Sequence, residues 1–254
     1  MLCCQLLSSK DNGSSLIFLV LFVMRLDKFV CKSTELTKRE AIQSIHGGEV
    51  RVNGCVLFDE ASQVHENNNV TLNGQPLKAR AFRYILMHKP AGTICSNIDE
   101  AYPSLFNYVD VENPTELHIV GRLDADTTGL VLITDDGHWS YNITVPSKQC
   151  DKVYRVGLSR PIAEGVAEQF KQGLPLQGES QLTRPAKLEV VSPKEVLLTI
   201  TEGKFHQVKR MFSAVSNRVV SLHREKIGKI QLDVEEGQWR YLTEDEVASF
   251  ADND

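Results

Sequence analysis

Residues 117–134 read Leu-His-Ile-Val-Gly-Arg-Leu-Asp-Ala-Asp-Thr-Thr-Gly-Leu-Val-Leu-Ile-Thr. The apolar runs at 117–120 and 130–134 are typical of buried strands, and they enclose a polar segment that begins and ends with glycine. A loop held between two buried strands is a rigid platform for a reactive side chain. Composition alone leaves two alternatives open, because this segment also suits a turn held by Asp and Thr side chains and, less well, a calcium loop.

Further strands and helices are predicted on both sides of this segment. Strands are expected at 84–87, 152–156, 188–191, 196–200 and 219–222, and helices at 161–172, 205–215 and 244–250. Several neighbouring strands are joined by short turns. We therefore expect an α+β fold with a mixed, largely antiparallel sheet rather than a regular βαβ array.

Residues 24–80 form a second, smaller pattern of the α+β kind. Thr37-Lys38-Arg39-Glu40 is a capping box that begins a helix. Asn53-Gly54 and Asn73-Gly74 are strong two-residue hairpin signals. The polar stretch 74–83 contains a proline and is predicted to be a linker.

Positive charge lies at an unusual position in this smaller pattern. Lys38 and Arg39 in the first turn of a helix oppose its dipole, at a cost of roughly 0.3–1 kcal/mol each. A helix N-terminus with added bases is also a good phosphate cradle, to which Lys28 and Lys32 of the preceding helix would add. An ordinary solvated charged face is the alternative.

The composition excludes several classes of protein. Of 254 residues, 42% are hydrophobic and 24% are charged, which is typical of a globular chain and not of a disordered, collagen-like or multi-span membrane protein. Six scattered cysteines without a Cys-x-x-Cys pair indicate reduced thiols. No motif for a dinucleotide, a nucleoside triphosphate or a zinc protease is present.

Charge is unevenly distributed although the formal net charge is −5. Residues 203–229 hold seven basic residues and one acid, whereas 232–254 hold eight acids and one arginine. A locally basic surface within an acidic protein is an electrostatic footprint for phosphates. Residues 1–23, with an apolar run too short for the roughly 20 residues that span a bilayer, are predicted to be an extension outside the fold; a short anchor or weak export signal is the alternative.

Two further segments carry candidate functional residues. Glu202–Phe212 places Lys209 and Arg210 side by side at the start of a predicted helix, where both can flank one cleft, although an exposed basic helix face is the simpler interpretation. In Lys152–Val156, alternation separates Tyr154 from Val153 and Arg155. Such a tyrosine is usually part of a core, and it can also be a stacking surface for a base.

Together these segments resemble the small-ribosomal-subunit group of the pseudouridine synthases. The resemblance extends from residue 24 to about 250. It is carried by Met24–Phe29, Val50–Gly54, His88–Gly92, Gly121–Leu132, Lys152–Tyr154, Glu202–Phe212 and Leu222–Glu225. It implies a catalytic domain of the pseudouridine synthase type over 84–250 and a small RNA-binding domain, similar to that of ribosomal protein S4, over 24–80.

The resemblance also implies roles for individual residues. Asp124 would be the catalytic aspartate, Arg122 would help to hold the target nucleotide out of the stack, Tyr154 would stack on the flipped uracil, and Lys209 would pair with Asp124. Asp126 is given no catalytic role. RNA contacts are expected from Arg122 and from Lys28, Lys32, Lys38, Arg39, Lys204, His206, Gln207 and Arg210.

The resemblance implies that the protein isomerises one uridine, uridine 516 of 16S rRNA. Its substrate would be the rRNA itself or an assembly intermediate of the small subunit. No metal or other cofactor and no membrane would be involved, and we expect a cytoplasmic monomer. Three alternatives stay open: a non-catalytic RNA-binding or ribosome-assembly protein, an N-glycosidase, and a synthase acting on 23S rRNA or tRNA. The aspartate could attack the anomeric carbon, attack carbon 6 of the base, or act as a base.

Overall fold

The computed structural model describes residues 23–65 and 67–251. The chain divides into two compact units, with the boundary between Ala81 and Phe82. The predicted extension lies outside the described residues except for Val23. That residue was wrongly assigned to the extension, because it belongs to a strand and pairs with His65. Within the described ranges, no helix has both the length and the apolar character needed to cross a bilayer.

The described part of the first unit contains two helices and six short strands. In chain order these are β1 (Val23–Arg25), α1 (Leu26–Ser33), α2 (Lys38–His46), β2 (Val50–Val52), β3 (Cys55–Val56), β4 (Gln63–His65), β5 (Val70–Leu72) and β6 (Gln75–Pro76). One sheet has the order β3-β2-β5-β6, and β1 pairs with β4.

Local sequence signals account for this unit. The capping box of α2 is confirmed, because Thr37 accepts from the backbone of Glu40 and the Glu40 carboxylate accepts from Thr37. The predicted hairpin turn at Asn53-Gly54 is also confirmed, with φ of 51° and 84°. The linker prediction for 74–83 is partly wrong, since Gln75 and Pro76 pair with β5 and the chain leaves the sheet only afterwards.

The second unit contains the large sheet. Its elements are β7 (Tyr84–Lys89), β8 (His118–Val120), β9 (Thr128–Thr134), α3 (Gly137–Thr144), β10 (Lys152–Leu158), α4 (Val166–Gln172), β11 (Lys187–Ser192), β12 (Glu195–Ile200), α5 (Gln207–Ala214), β13 (Val219–Ile227), β14 (Ile230–Gln231), β15 (Trp239–Tyr241) and α6 (Glu244–Ala248). The strand order is β11-β12-β10-β13-β9-β7-β15, with β14 beside β13 and β8 beside β9.

This sheet confirms the predicted fold class. The contact between β13 and β9 is parallel, and the other pairings of these strands are antiparallel. Side chains alternate between two hydrophobic cores, one on each face of the sheet. One core contains Phe170 of α4 and Phe212 of α5, and the other contains Trp139 of α3.

Some element ends differ from the prediction for local reasons. Helix α4 begins at Val166 rather than 161, because Gly165 has a φ of 78° that does not continue a helix. Helix α5 begins after His206, whose φ is 47°. Strand β13 runs on to Ile227, because its second half pairs with both β10 and β14.

Candidate active site

The loop 121–127 connects β8 to β9 and carries Asp124. It closes by a turn in which the Thr127 amide donates to the Asp124 carbonyl at 3.1 Å. The loop is shorter than predicted, because β9 begins at Thr128. Gly129 is required there: its φ is 113°, and a β-carbon would overlap the backbone of Arg224 on β13.

The buried side chain of Lys89 binds the backbone of this loop. The Lys89 ammonium donates to the carbonyls of Pro90 at 3.0 Å, Ala125 at 3.4 Å and Thr127 at 2.9 Å, and the side chain is fully buried. Burial lowers the pKa of Lys89, since the charged form loses its hydration. The loop backbone is therefore fixed by a group in the neighbouring strand β7.

A buried arginine joins the loop to Tyr154. Arg224 is 1% exposed and donates to the carbonyls of Gly121 at 2.8 Å and Leu130 at 2.7 Å. Its Nη1 lies 3.4 Å from the Tyr154 hydroxyl, and its guanidinium carbon is 5.9 Å from the tyrosine ring centre. Arg224 was counted in the basic run 203–229, but its burial removes it from the basic surface.

Four side chains meet at the loop: Asp124, Asp126, His206 and Lys209. Lys209 Nζ donates to Asp124 Oδ2 at 2.8 Å and to Asp126 Oδ1 at 2.7 Å. His206 Nε2 lies 3.4 Å from Asp124 Oδ1. Asp124 and Lys209 are both about one-third exposed, at 30% and 28%, so a substrate can reach them while much of their surface is removed from water. The predicted pair of Asp124 and Lys209 is thus present in the geometry.

The pKa values of Lys209 and Asp126 are shifted in opposite directions. Burial acts against the charge on Lys209 and is the largest single influence, but the hydrogen bonds that Lys209 donates to Asp124 and Asp126, with the attraction of the two charges, outweigh it and the pKa of Lys209 is raised. The hydrogen bond from Lys209 lowers the pKa of Asp126. A cation is therefore maintained between two carboxylates at neutral pH.

Helix α5 aims Lys209 at the loop. Val208, Met211 and Phe212 of this helix are buried in the core, which fixes its rotation about its axis. Lys209 lies in the first turn, directly after the αL residue His206 that sets the direction of the chain into the helix. The apolar spacing that predicted this helix thus also determines the position of Lys209.

Tyr154 lies in the middle of β10 and is 7% exposed. The predicted alternation is confirmed, because Tyr154 belongs to the core whereas Arg155 lies on the other face and pairs with Glu195 and Glu225. The structure thus links Tyr154 to the Asp124 loop through Arg224.

The predicted RNA contacts fall into exposed and buried groups. Arg122, Lys38, Arg39 and His206 are exposed, and Lys28, Lys204 and Arg210 are half-buried. Lys32 and Gln207 are only 3% and 4% exposed, so the prediction that they face RNA is at odds with the structure. Gln207 instead bonds Glu202 and the Lys204 amide, because the turn before α5 needs its buried polar groups satisfied.

Glu179 neutralises two of the predicted basic contacts. Its carboxylate accepts from Lys204 Nζ and from Arg210 Nη1, each at 3.1 Å. These hydrogen bonds lower the pKa of Glu179, that from Lys204 first. Any phosphate that binds Lys204 and Arg210 has to compete with this carboxylate.

Sequence reasoning missed Lys89, Arg224 and Asp126 as parts of the site. Lys89 and Arg224 do occur in segments that carry the resemblance, but nothing local shows that they are buried. Asp126 could have been found, because two carboxylates two residues apart in a tight turn can share one cation. Within the described residues, no group of three or more His, Cys, Asp or Glu side chains is arranged to hold a metal ion.

Comparisons with known proteins agree with this geometry. A family profile described as RNA pseudouridylate synthase matches residues 83–214. The ribosomal small subunit pseudouridine synthase A of Vibrio cholerae is 51% identical over 228 residues, which are 89% of this chain and 99% of that protein. The protein of the same name from Escherichia coli K12 is 46% identical over 229 residues, with the same coverage.

A solved structure has the same overall architecture. The crystal structure of a pseudouridylate synthase, 41% identical in sequence, aligns with a TM-score of 0.66 and covers 90% of this chain and 100% of that one. The extent of the profile match and the identity to full-length relatives lead to one conclusion: the chain belongs to the RNA pseudouridylate synthase family.

Proposed function

We propose that this protein is an rRNA pseudouridine synthase that isomerises uridine 516 of 16S rRNA, with Asp124 as the residue that reacts with the target nucleotide. The observation that carries the proposal is the carboxylate of Asp124, held at 2.8 Å by Lys209 on a loop whose backbone is fixed by Lys89 and Arg224. The names of the relatives support a target in the small ribosomal subunit.

The reaction suits a single carboxylate. The bond from ribose C1′ to N1 of the base breaks and a bond from C1′ to C5 forms, while C5 loses a proton and N1 gains one, so nothing is added overall. An anomeric carbon develops positive charge as its bond breaks, and a fixed carboxylate stabilises that charge or attacks it. The proposed reaction uses only this carboxylate and the rearranging nucleotide, so the proposal includes no metal or other cofactor.

The neighbouring side chains support the proposed roles. Lys209, whose pKa is raised, stays protonated and orients Asp124. Tyr154 would stack on the flipped uracil, with its hydroxyl near Arg224. Arg122 lies exposed on the same loop and would help to keep the target nucleotide out of the RNA stack, which costs a few kcal/mol.

Phosphate contacts would offset the cost of flipping. We assign these to the exposed bases Lys38 and Arg39 at the N-terminus of α2, to Lys28 of α1, and to His206 with Lys204 and Arg210. Residues 24–80, within the first unit, would act as the S4-like RNA-binding domain and 84–250 as the catalytic domain. In this proposal the protein is a monomer in the cytoplasm, and its substrate is 16S rRNA or an assembly intermediate of the small subunit.

Mapping of carbodiimide adducts in 16S rRNA tests target and residue together. Cells that lack the protein should lose the adduct at position 516, and wild-type protein should restore it. Asp124→Asn should bind the rRNA but fail to restore the adduct. The matched control is Asp110→Asn, which changes an exposed aspartate outside the loop. An adduct restored by Asp124→Asn would exclude the proposed role of Asp124, and an adduct at another nucleotide would exclude the proposed target.

A further inference from the structure

Phe205 presents an apolar ring to solvent directly before helix α5. At 74% exposure it is the most exposed large hydrophobic residue in the described part of the chain. The backbone beneath it is nevertheless well held, since the Phe205 carbonyl accepts from Arg210 at 3.0 Å and the preceding Lys204 amide donates to Gln207 at 2.8 Å. An exposed ring on a fixed backbone is preorganised for contact with another molecule.

The ring of Phe205 is stacked on the ring of His206. Their centres are 3.8 Å apart and their planes differ by 21°. The edge of the same His206 ring reaches the loop 121–127, with Nε2 at 3.4 Å from Asp124 Oδ1. His206 is therefore the ring next to the Asp124 carboxylate, and Phe205 is the exposed ring of the stack.

We propose that Phe205 is a stacking platform for the nucleobase next to the target uridine. The proposal rests on the proposed function, because it takes the reacting nucleotide to lie at Asp124. With that nucleotide at Asp124, the base before or after it in the strand would be the aromatic group available to the exposed ring of Phe205. The exposed cation Arg122 lies in the same loop as Asp124, and Lys204 adjoins Phe205, so the surroundings suit an RNA strand.

The platform has a physical purpose in base flipping. When a uridine leaves the RNA stack, the neighbouring base loses a stacking partner, which is part of the cost of flipping. An aromatic side chain replaces that partner irrespective of base identity, because every base has a π-face. Phe205 therefore stabilises the opened RNA and contributes to binding rather than to the bond-breaking step.

The test compares Phe205→Leu, which keeps an apolar side chain, with Phe205→Tyr, which keeps the ring. Tritium release from 16S rRNA transcripts that carry [5-³H]uridine gives kcat and KM. We expect Phe205→Leu to raise KM about 5- to 150-fold, the range that corresponds to one base–aromatic stack, with kcat unchanged and with Phe205→Tyr within about twofold of wild type. Tyr141→Leu, which removes an exposed ring from α3, is the matched control.

A binding measurement identifies the base itself. In an Asp124→Asn background, synthetic RNA of the 516 region carries 2-aminopurine on one side of the uridine or the other. Its fluorescence should be quenched on binding at one of the two positions, and Phe205→Leu should abolish that quenching. An abasic site at that position should weaken binding by Phe205 protein and leave binding by Phe205→Leu protein unchanged.

The outcomes separate the two proposals. If wild-type protein releases no tritium from the transcripts or from small-subunit particles that contain them, the proposed function fails, and the quenching experiment still decides whether Phe205 stacks on an RNA base. If wild-type protein is active but Phe205→Leu has unchanged KM and unchanged quenching, the platform is wrong and the ring faces some other partner. Circular dichroism checks that the variants fold, which the exposure of Phe205 favours.

Discussion

Replacing Arg224 with methionine should destabilise the second unit substantially. The arginine is 1% exposed, and its removal leaves the buried carbonyls of Gly121 and Leu130 without their donors at 2.8 and 2.7 Å. An unsatisfied buried polar group costs about 1–3 kcal/mol, so two such groups give a loss of about 2–6 kcal/mol. Methionine fills a similar volume, and a cavity therefore contributes little to this loss.

Urea unfolding measures the effect. The chain has two tryptophans, Trp139 and Trp239, and both belong to the second unit, so their fluorescence reports on that unit. With a denaturant slope of about 2–3 kcal/mol/M, the midpoint should fall by roughly 0.7–3 M. Arg224→Lys should recover only part of the loss, since one ammonium cannot reproduce the planar fork of a guanidinium.

The matched control makes the same substitution at an exposed site. Arg160 lies on the surface, and Arg160→Met should change the free energy of unfolding by less than about 0.5 kcal/mol. If Arg224→Met unfolds within about 1 kcal/mol of wild type, the carbonyls have found other donors, and the conclusion that Arg224 supports the loop is wrong.

Two further variants test the electrostatics of the site. Glu179→Gln should free Lys204 and Arg210 for phosphate, tighten RNA binding and steepen the slope of log K against log salt by about 0.7 for each additional phosphate that is neutralised; an unchanged slope in a salt titration would contradict this. Asp126→Asn should lower stability at pH 7 by about 0.2–1 kcal/mol, because its bond to Lys209 is partly exposed. The lowered pKa of Asp126 means that this contribution is present above the unfolded value near 4 and is lost as the pH falls through the folded value, so urea midpoints of variant and wild type should converge as the pH is lowered below the unfolded value.

The sequence predicted the fold class because its signals are local. Apolar runs, a capping box and Asn-Gly turns are each contained within ten residues, and each favours one kind of element. Such local signals do not predict the parallel contact between β9 and β13. It joins strands about 95 residues apart, and its only local trace is Gly129, whose missing side chain lets the Arg224 backbone approach.

The site was predictable only in part for the same reason. Asp124 and Lys209 were recognised through motifs, but their hydrogen bond spans 85 positions in the chain and no spacing rule predicts it. The burial of polar and charged side chains was the feature predicted least well from the sequence. The sequence predicts Gln207 and Lys32 as surface groups and Arg224 as part of a basic surface, whereas all three are buried. Composition does not reveal which polar and charged side chains find enough partners to be enclosed.

The buried cations Lys89 and Arg224 offset the repulsion between the two carboxylates of this loop, Asp124 and Asp126. Lys89 and Arg224 donate their hydrogen bonds to backbone carbonyls, Arg224 also lies near a tyrosine hydroxyl, and these bonds do not pair either cation with a carboxylate. Asp124 and Asp126 act favourably on the charge of Lys89 from above, and the attraction is reciprocal. With Lys209 included, three cations surround two anions. The site therefore has a positive balance of charge, which would favour a phosphodiester strand if Asp124 reacts with RNA as proposed.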